Sequence, residues 1–305
     1  MSLTINALFP GQGSQKSGMG KDIYESSPAA KEIFDTANRE LGMDIKALCF
    51  EGSEEDLKKT ENTQPCILTT SIAFWAALRE KGVTIAVAAG HSLGEFSALT
   101  AAGYIPFKDC VRVVRERGLI MAGADKEGRG GMAAVLSLDA KVIEEICAGD
   151  NGGIVVVANY NSLEQSVISG DKDAVAKASA AATAKGAKRV VPLPVSGAFH
   201  SPLMNDAAKE FAGVLAKFTF TESAVPVISN VTAAAHVFPE LKTKLVEQMH
   251  SSVRWVASMQ KLTGMNDSVC CEVGPNKVLA GLMKKIVPTR EVKNAGTAAD
   301  VAAIG

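Results

Sequence analysis

The chain has 305 residues, of which 47% are hydrophobic and 21% charged, and its formal net charge is −1. This composition is typical of a globular protein with a sizeable core, organised as one large domain or two modest ones. A net charge so close to zero gives no overall field that favours nucleic acid or a membrane surface, so neither is expected as a partner. No uncharged apolar stretch reaches the about 20 residues that span a bilayer.

The cysteines and the first residues favour a cytoplasmic protein. No two cysteines have Cys-x-x-Cys spacing, none lies beside a histidine in a metal-like cluster, and most stand in apolar context, which predicts buried, reduced thiols. The first residues lack a basic segment followed by a long apolar one, so no signal peptide is expected. The six cysteines are Cys49, Cys66, Cys110, Cys147, Cys270 and Cys271.

The first part of the chain alternates apolar runs with helical patterns. A buried strand leads into a glycine-containing turn, and the strongest helical pattern precedes a second apolar run. In order, the predicted elements are a strand at 3–9, a turn at 10–15, helices at 27–41 and 63–81, a strand at 83–89, and helices at 95–102 and 106–122.

A charged, glycine-rich hinge at 126–131 precedes a different pattern. Beyond it we predict a strand at 132–136, a helix at 140–148, strands at 154–159 and 166–169, a helix at 171–185 and a strand at 189–193. This βαββαβ order matches a ferredoxin-like unit. We therefore expect residues 127–195 to form a small α+β domain inserted into a larger one made of residues 1–126 and 196–305.

The larger domain resumes after the insertion and again alternates strands with helices. Its final predicted elements are a strand at 225–230, a helix at 241–248, a strand at 269–273 and a turn plus helix at 274–285. This alternation predicts an α/β domain with a mainly parallel sheet covered on both faces.

Residues 90–94 read Gly-His-Ser-Leu-Gly, between a predicted strand and a predicted helix. A glycine-flanked serine on a sharp strand-to-helix turn is the nucleophile elbow of α/β hydrolases. The strained turn would hold the Ser92 hydroxyl at a helix N-terminus, where developing negative charge is favoured. The motif is short, and a serine in an ordinary turn is the alternative.

A serine nucleophile needs a base, and His200 is the best of the four histidines. It lies in a small-residue loop after a predicted strand, at the expected junction of the two domains. His91 adjoins Ser92 in the elbow, where consecutive side chains point apart. His236 and His250 stand in polar segments that are expected at the surface. The alternative for His200 is a histidine that caps or packs a turn.

The other groups that this chemistry needs are less apparent. No Asp or Glu after Ser92 stands in a setting that marks an orienting acid, and a backbone carbonyl can hold a neutral imidazole instead. The backbone N–H of Leu93 is expected to stabilise an oxyanion, together with a second N–H from the loop at 9–15. That loop could equally cradle a phosphate, although no Gly-Lys-Ser/Thr follows it.

Arg117 falls in the middle of the apolar stripe of the predicted helix at 106–122. A guanidinium that faces a core is costly unless it meets an anion, and its planar fork suits a carboxylate. The anion is either a ligand or an Asp or Glu of the protein itself, and the sequence leaves both open. The stripe consists of Cys110, Val113, Val114, Ile120 and Met121.

Together these segments resemble the malonyl-CoA:acyl carrier protein transacylases of fatty acid synthesis, over nearly the whole chain. The resemblance is carried by Leu-Phe-Pro-Gly-Gln-Gly-Ser-Gln at 8–15, Gly-His-Ser-Leu-Gly-Glu-Phe at 90–96, Arg-Glu-Arg-Gly at 115–118, Ala-Phe-His-Ser-Pro-Leu-Met at 198–204 and Glu-Val-Gly-Pro at 272–275. It implies a hydrolase-like α/β domain with a ferredoxin-like insertion. It also implies malonyl-CoA and holo acyl carrier protein as substrates, with no cofactor.

The resemblance also implies catalytic roles. Ser92 would be the nucleophile and His200 the base, with the backbone N–H groups of Gln12 and Leu93 forming the oxyanion hole. The backbone carbonyl of Gln248 would orient His200, so that a serine–histidine dyad suffices.

The resemblance also implies which residues select the acyl group, and this sequence departs from the family pattern at two places. By resemblance, Arg117 would hold the malonyl carboxylate, and Phe199 looks like the malonyl-selective form of its motif. Leu163–Glu164 replaces a Pro-Gly-like turn, which is expected to alter a loop near the carrier-protein surface. Asn276 stands where glycine is common, and asparagine tolerates left-handed backbone.

Two other functions remain open. A serine thioesterase or esterase could use the same elbow, although the missing acid and Arg117 count against it, and a non-enzymatic acyl-binding or scaffold protein would not need Ser92 and His200. A monomer is expected. For an acidic carrier protein, the basic segments 185–189 and 284–285 are candidate docking surfaces, with solvated helix ends as the alternative.

Overall fold

The computed structural model describes residues 3–195 and 197–304. The strands are β1 (Thr4–Phe9), β2 (Thr84–Gly90), β3 (Gly130–Leu136), β4 (Val155–Ser162), β5 (Gln165–Asp171), β6 (Arg189–Pro192), β7 (Val227–Ile228), β8 (Val269–Val273) and β9 (Val292–Ala295). The helices are α1 (Lys21–Ser26), α2 (Pro28–Leu41), α3 (Ile45–Glu51), α4 (Glu54–Lys58), α5 (Thr60–Glu80), α6 (Leu93–Ala101), α7 (Phe107–Gly123), α8 (Ala140–Ala148), α9 (Lys172–Ala184), α10 (Asn205–Leu215), α11 (Leu241–Glu247), α12 (Trp255–Met265), α13 (Val278–Ile286) and α14 (Ala298–Ala303).

The larger sheet has the order β7-β2-β1-β8-β9, and all of its strand pairs are parallel. Side chains of β1 alternate between two cores: Ile5 and Phe9 pack with the helices before and after β2, whereas Leu8 packs with α12 and α13. The sheet is therefore covered on both faces, which confirms the α/β prediction. Phe9 pairs with Gly90 at the carboxyl ends of their strands, so the loops after β1 and β2 lie side by side.

The smaller sheet has the order β4-β5-β3-β6 and is antiparallel throughout. With α8 and α9 packed against it, this is the ferredoxin-like arrangement that the sequence predicts. We propose residues 127–195 as the inserted domain and residues 1–126 with 196–305 as the larger one.

Several elements differ from the sequence-based predictions. Strand β7 has two residues rather than the six expected, because Ser229 bonds back to Ala234 and Asn230 turns toward the loop after β2. The edge strand β9 and the helices α1, α3, α4, α10, α12 and α14 were not predicted. In β9, Lys293 and Asn294 interrupt the apolar pattern on which such a prediction rests.

Two further features are the lengths of the apolar helices and the state of the cysteines. None of the helices within the described ranges is both long and apolar enough to cross a bilayer. The six cysteines are free thiols, and only Cys147 is partly exposed. Burial raises the pKa of the Cys110 thiol to about 12, as befits an unreactive core residue.

Candidate active site

Ser92 occupies the tight turn between β2 and α6, with a backbone φ of 51°. A Cβ added at Gly90 would lie 1.9 Å from the backbone of Gly94, and one at Gly94 would lie 2.1 Å from the carbonyl oxygen of Phe9. The turn therefore requires glycine on both sides of the serine for steric reasons. His200 also has a positive φ of 59°. Strained backbone at non-glycine residues concentrates at functional sites.

Asn230 stabilises this strained turn. The Ser92 backbone N–H donates to Asn230 Oδ1 over 2.7 Å, and Asn230 Nδ2 donates to the carbonyl of Gly90 over 2.7 Å. One buried side chain thus joins the residues on either side of His91. Sequence reasoning missed Asn230; the only available signal was a polar residue at the end of a predicted strand.

His200 lies directly against the serine. Its Nε2 is 2.8 Å from Ser92 Oγ, and its Nδ1 is 2.7 Å from the backbone carbonyl of Gln248. The carbonyl accepts the Nδ1 hydrogen, which leaves the Nε2 lone pair facing the hydroxyl. Burial and then the nearby charge of Arg117 lower the pKa of His200 to about 3, so the imidazole is neutral near pH 7.

Arg117 is almost fully buried on α7 and reaches the same serine. Nη1 donates to Gln64 Oε1 over 2.6 Å, and Nη2 donates to Gln248 Oε1 over 2.9 Å and to Ser92 Oγ over 3.3 Å. Within residues 3–195 and 197–304, Arg117 forms no ion pair with an Asp or Glu. Burial lowers its pKa to about 10, while the charge of Glu95 acts in the opposite direction, so the guanidinium is charged near pH 7. Its charge is therefore available to an anionic ligand.

The two N–H groups expected to bind an oxyanion lie on adjoining segments. Leu93 begins α6 directly after the serine, and Gln12 lies in the loop after β1, which the bond from His91 N to Phe9 O joins to the elbow. In the part of the chain that the structure describes, neither the Leu93 nor the Gln12 N–H has an acceptor. The Gln12 side chain accepts a bond from Thr60 Oγ1 over 2.7 Å.

Of the other histidines, His236 differs most from expectation. It was expected at the surface, but its side chain is fully buried and its Nε2 lies 2.6 Å from Glu95 Oε1. The surface prediction was wrong because the partner stands 141 residues away in the chain. His91 points away from the serine, as expected, and its Nε2 lies 2.8 Å from Asn161 Oδ1.

The smaller sheet reaches the site along its edge strand β4. Strand β4 exchanges backbone hydrogen bonds with Val253, whose N–H donates to Ala158 O over 2.8 Å and whose carbonyl accepts from Tyr160 N over 3.0 Å. The contact of Asn161 with His91 comes from the same strand. Strand β4 therefore supports both the elbow and the segment that follows Gln248.

The two departures from the family pattern have local consequences. Leu163–Glu164 forms the tight turn between β4 and β5, and the Leu163 side chain is 61% exposed. Asn276 has a φ of 68°, as expected for a residue replacing glycine, and its Nδ2 donates to Ser14 O over 3.2 Å. The basic segments 185–189 and 284–285 carry exposed cations, and Lys285 pairs with Glu164 at 3.4 Å.

Clusters of three or more His, Cys, Asp or Glu side chains that could hold a metal ion do not occur among residues 3–195 and 197–304.

Comparisons with known proteins place this geometry in a family context. The profile of the acyl transferase domain family matches residues 8–302. The malonyl CoA-acyl carrier protein transacylase of Bacillus subtilis (strain 168) is 47% identical over 285 residues, which are 92% of this chain and 90% of that protein.

Solved structures give the same result. The malonyl-CoA:acyl carrier protein transacylase of Xanthomonas oryzae superposes with a TM-score of 0.94 at 39% identity, covering 99% of this chain and 98% of that one. A malonyl-transacylase in complex with its type II PKS acyl-carrier protein superposes with a TM-score of 0.95 at 39% identity, covering 100% and 99%.

Proposed function

Because the chain belongs to the acyl transferase domain family and, within it, to the malonyl-CoA:acyl carrier protein transacylases, we propose that it transfers malonyl groups from malonyl-CoA to the phosphopantetheine thiol of acyl carrier protein. The reaction serves fatty acid biosynthesis. It proceeds through a malonyl ester on a serine, in two half-reactions of a ping-pong mechanism.

In the first half-reaction, His200 Nε2 takes the proton of Ser92 Oγ, and Oγ forms a bond to the thioester carbonyl carbon. The carbonyl oxygen becomes an oxyanion that accepts hydrogen bonds from the backbone N–H groups of Gln12 and Leu93. The oxyanion then collapses, the carbon–sulfur bond breaks, and the departing CoA thiolate takes the proton from His200. The product is a malonyl-serine ester.

The second half-reaction runs the same steps in reverse with a different thiol. His200 takes the proton of the phosphopantetheine thiol, and the sulfur attacks the ester carbonyl. The bond to Ser92 Oγ breaks, and the serine oxygen recovers its proton from His200. No metal or redox group takes part in this scheme.

The histidine works in this scheme without an acid partner. The carbonyl of Gln248, 2.7 Å from Nδ1, supports the required tautomer and stabilises the transient imidazolium. The low pKa of His200 keeps it neutral and ready to accept a proton. The low pKa also makes His200 a weak base. The short distance to Ser92 and the strained elbow offset this disadvantage.

Arg117 selects the acyl group by binding the malonyl carboxylate. It is held by amide oxygens rather than by a carboxylate, so its charge is not neutralised before the substrate binds. A substrate carboxylate that reaches it gains charge-assisted hydrogen bonds, each contributing about 1.5–3 kcal/mol. An acetyl group gains none of this.

The carrier protein is proposed to dock on exposed basic residues. The segments 185–189 and 284–285 remain the candidates, because an acidic partner would be attracted to them. All groups in the scheme come from one chain, which supports a monomer as the working unit.

The observation that carries the proposal is the meeting of His200 and Arg117 at one hydroxyl, that of Ser92. It is tested by incubating the protein with labelled malonyl-CoA, with and without holo acyl carrier protein, and following the label. Label on the carrier, at a rate that rises with carrier concentration, supports transfer. Release as free malonate at the same rate with or without carrier would instead show a thioesterase.

A further inference from the structure

Glu95 lies beside the elbow and is buried. The transfer chemistry proposed above does not use its carboxylate. Its side chain is fully buried, and its two oxygens contact three groups. Oε1 lies 2.6 Å from His236 Nε2, while Oε2 accepts from Gln248 Nε2 over 2.6 Å and from the backbone N–H of Asn230 over 3.1 Å. A buried charge is retained only where its hydrogen bonds are satisfied, as they are here.

These contacts fix the orientation of the Gln248 side-chain amide. Its nitrogen faces two groups that can only accept, namely Glu95 Oε2 and the Ser92 carbonyl, the latter at 3.0 Å. Its oxygen therefore faces Arg117 Nη2 at 2.9 Å. Turning the amide over would set its oxygen against the carboxylate and its NH₂ against the guanidinium, and both contacts would be repulsive.

The same arrangement leaves Arg117 charged and, among residues 3–195 and 197–304, without a direct counter-ion. The side-chain amide of Gln248 lies between Glu95 and Arg117. The negative charge of Glu95 therefore offsets part of the cost of burying the guanidinium without occupying the hydrogen-bond donors of Arg117. A carboxylate placed directly on Arg117 would have consumed those donors and blocked a ligand carboxylate. The negative charge of Glu95 raises the pKa of Arg117, whereas burial lowers it. This agrees with a stabilising effect of Glu95 on the charged guanidinium.

We propose that Glu95 is a positioning residue for acyl selection: through Gln248 it holds the Arg117 guanidinium in place for a carboxylated acyl group, and His236 holds Glu95. The inference rests on the proposed function, since it concerns which acyl groups load the serine. It assigns to Glu95 no contact with substrate.

The first test is Glu95→Gln, which keeps the shape of the side chain and an acceptor for Gln248 but removes the charge. Loading rates for malonyl-CoA and acetyl-CoA are compared by mass spectrometry of the acyl-enzyme. We expect kcat/KM for malonyl loading to fall about tenfold while that for acetyl loading changes less than about threefold. Equal losses for both acyl groups, or no loss for either, would overturn the proposal.

The second test uses His236, which lies one contact further away. His236→Leu removes the donor to Glu95 and is expected to lower the malonyl-to-acetyl ratio as Glu95→Gln does, whereas His236→Gln supplies a new donor and is expected to restore it. A wild-type ratio in His236→Leu, or no rescue by His236→Gln, would contradict the role of His236 as the support of Glu95.

The matched control is Glu272→Gln, which removes another buried carboxylate, one that caps the start of α13 through the N–H groups of Leu279 and Ala280. Thermal melts of every variant separate loss of stability from loss of selectivity. The Glu272→Gln variant is expected to keep the wild-type ratio, and a change as large as that of Glu95→Gln would assign the effect to general destabilisation. If wild-type protein itself loads no malonyl group, the proposed function fails, a result distinct from an unchanged ratio in the variants.

Discussion

Arg117 Nη2 lies 3.3 Å from Ser92 Oγ, although Ser92 lies in the turn before α6 and Arg117 lies on α7. The same Nη2 also donates to the amide oxygen of Gln248, and Nη1 donates to the amide oxygen of Gln64. The charge is thus placed beside the nucleophile and aligned by neutral groups. An acyl chain attached at the serine would carry a terminal carboxylate into this charge.

Replacing Arg117 is therefore expected to affect carboxylated acyl groups selectively. Arg117→Ala should lower kcat/KM for malonyl loading by about 100-fold or more, because charge-assisted hydrogen bonds to the carboxylate are lost. Acetyl loading should fall far less. Parallel measurements of both acyl-CoA substrates by stopped-flow or quench mass spectrometry check this, and equal losses would mean that Arg117 is only structural.

The pH dependence should report the low pKa of His200. With acetyl-CoA, which has no acyl carboxylate, kcat/KM for loading reflects the free enzyme. Because the folded pKa is about 3 and the ordinary value is 6.5, the neutral base persists as the pH falls through 6.5, and the rate should decline only well below that value. A midpoint near 6.5 would contradict this.

The pH dependence of acetyl loading also tests whether the charge of Arg117 acts on His200. Its charge is the second largest cause of the lowered His200 pKa, after burial. Arg117→Ala should therefore move the acidic limb of acetyl loading to higher pH. An unmoved limb would show that the guanidinium charge does not act on the histidine.

The elbow glycines should respond differently from a glycine elsewhere. Gly94→Ala places a Cβ 2.1 Å from Phe9 O, and we expect it to lower the free energy of unfolding by about 2 kcal/mol or more and to abolish loading. Gly213, on the exposed side of α10, has no atom within 4 Å of an added Cβ. Gly213→Ala should be stabilising by about 0.5–1 kcal/mol with normal loading. Thermal melts and loading assays measure both, and a normally active Gly94→Ala would refute the steric account.

Asn230 provides a test of how far the strained turn matters. Asn230→Ala leaves the Ser92 N–H without its acceptor, which costs about 1–3 kcal/mol, and a relaxed serine should load about tenfold more slowly or worse. The control is Asn151→Ala, another buried asparagine, whose side chain bonds to carbonyls at the end of α8. It should lose stability but keep its loading rate; equal rate losses would mean that the elbow is not specifically held by Asn230.

Much of the fold could be predicted from periodicity because its elements are long or regular. The βαββαβ insertion and the buried strands around the elbow follow from apolar patterns of period 2 and 3.6. The edge strand β9 could not, since one side of an edge strand needs no apolar partner and Lys293 interrupts the pattern. The two-residue β7 is shorter than any pattern can define.

The residues of the active site also differ in whether the sequence reveals them. Ser92 and His200 stand in short local signatures, and Arg117 is conspicuous as a charge in an apolar stripe. Residues such as Gln64 and Asn230 carry little local signal, because each acts through a partner more than 50 residues away. The surface assignment of His236 failed for the same reason: local polarity does not reveal a buried carboxylate on another helix.

We propose that Ser92 carries the acyl group between the two thiols. Protein incubated with malonyl-CoA alone is digested and analysed by mass spectrometry, and a second sample then receives holo acyl carrier protein. We expect a malonyl adduct on the peptide containing Ser92. The adduct should be absent in Ser92→Ala, retained in a Ser97→Ala control, and transferred to the carrier on its addition. An adduct on another residue, or persistence of transfer in Ser92→Ala, would contradict it.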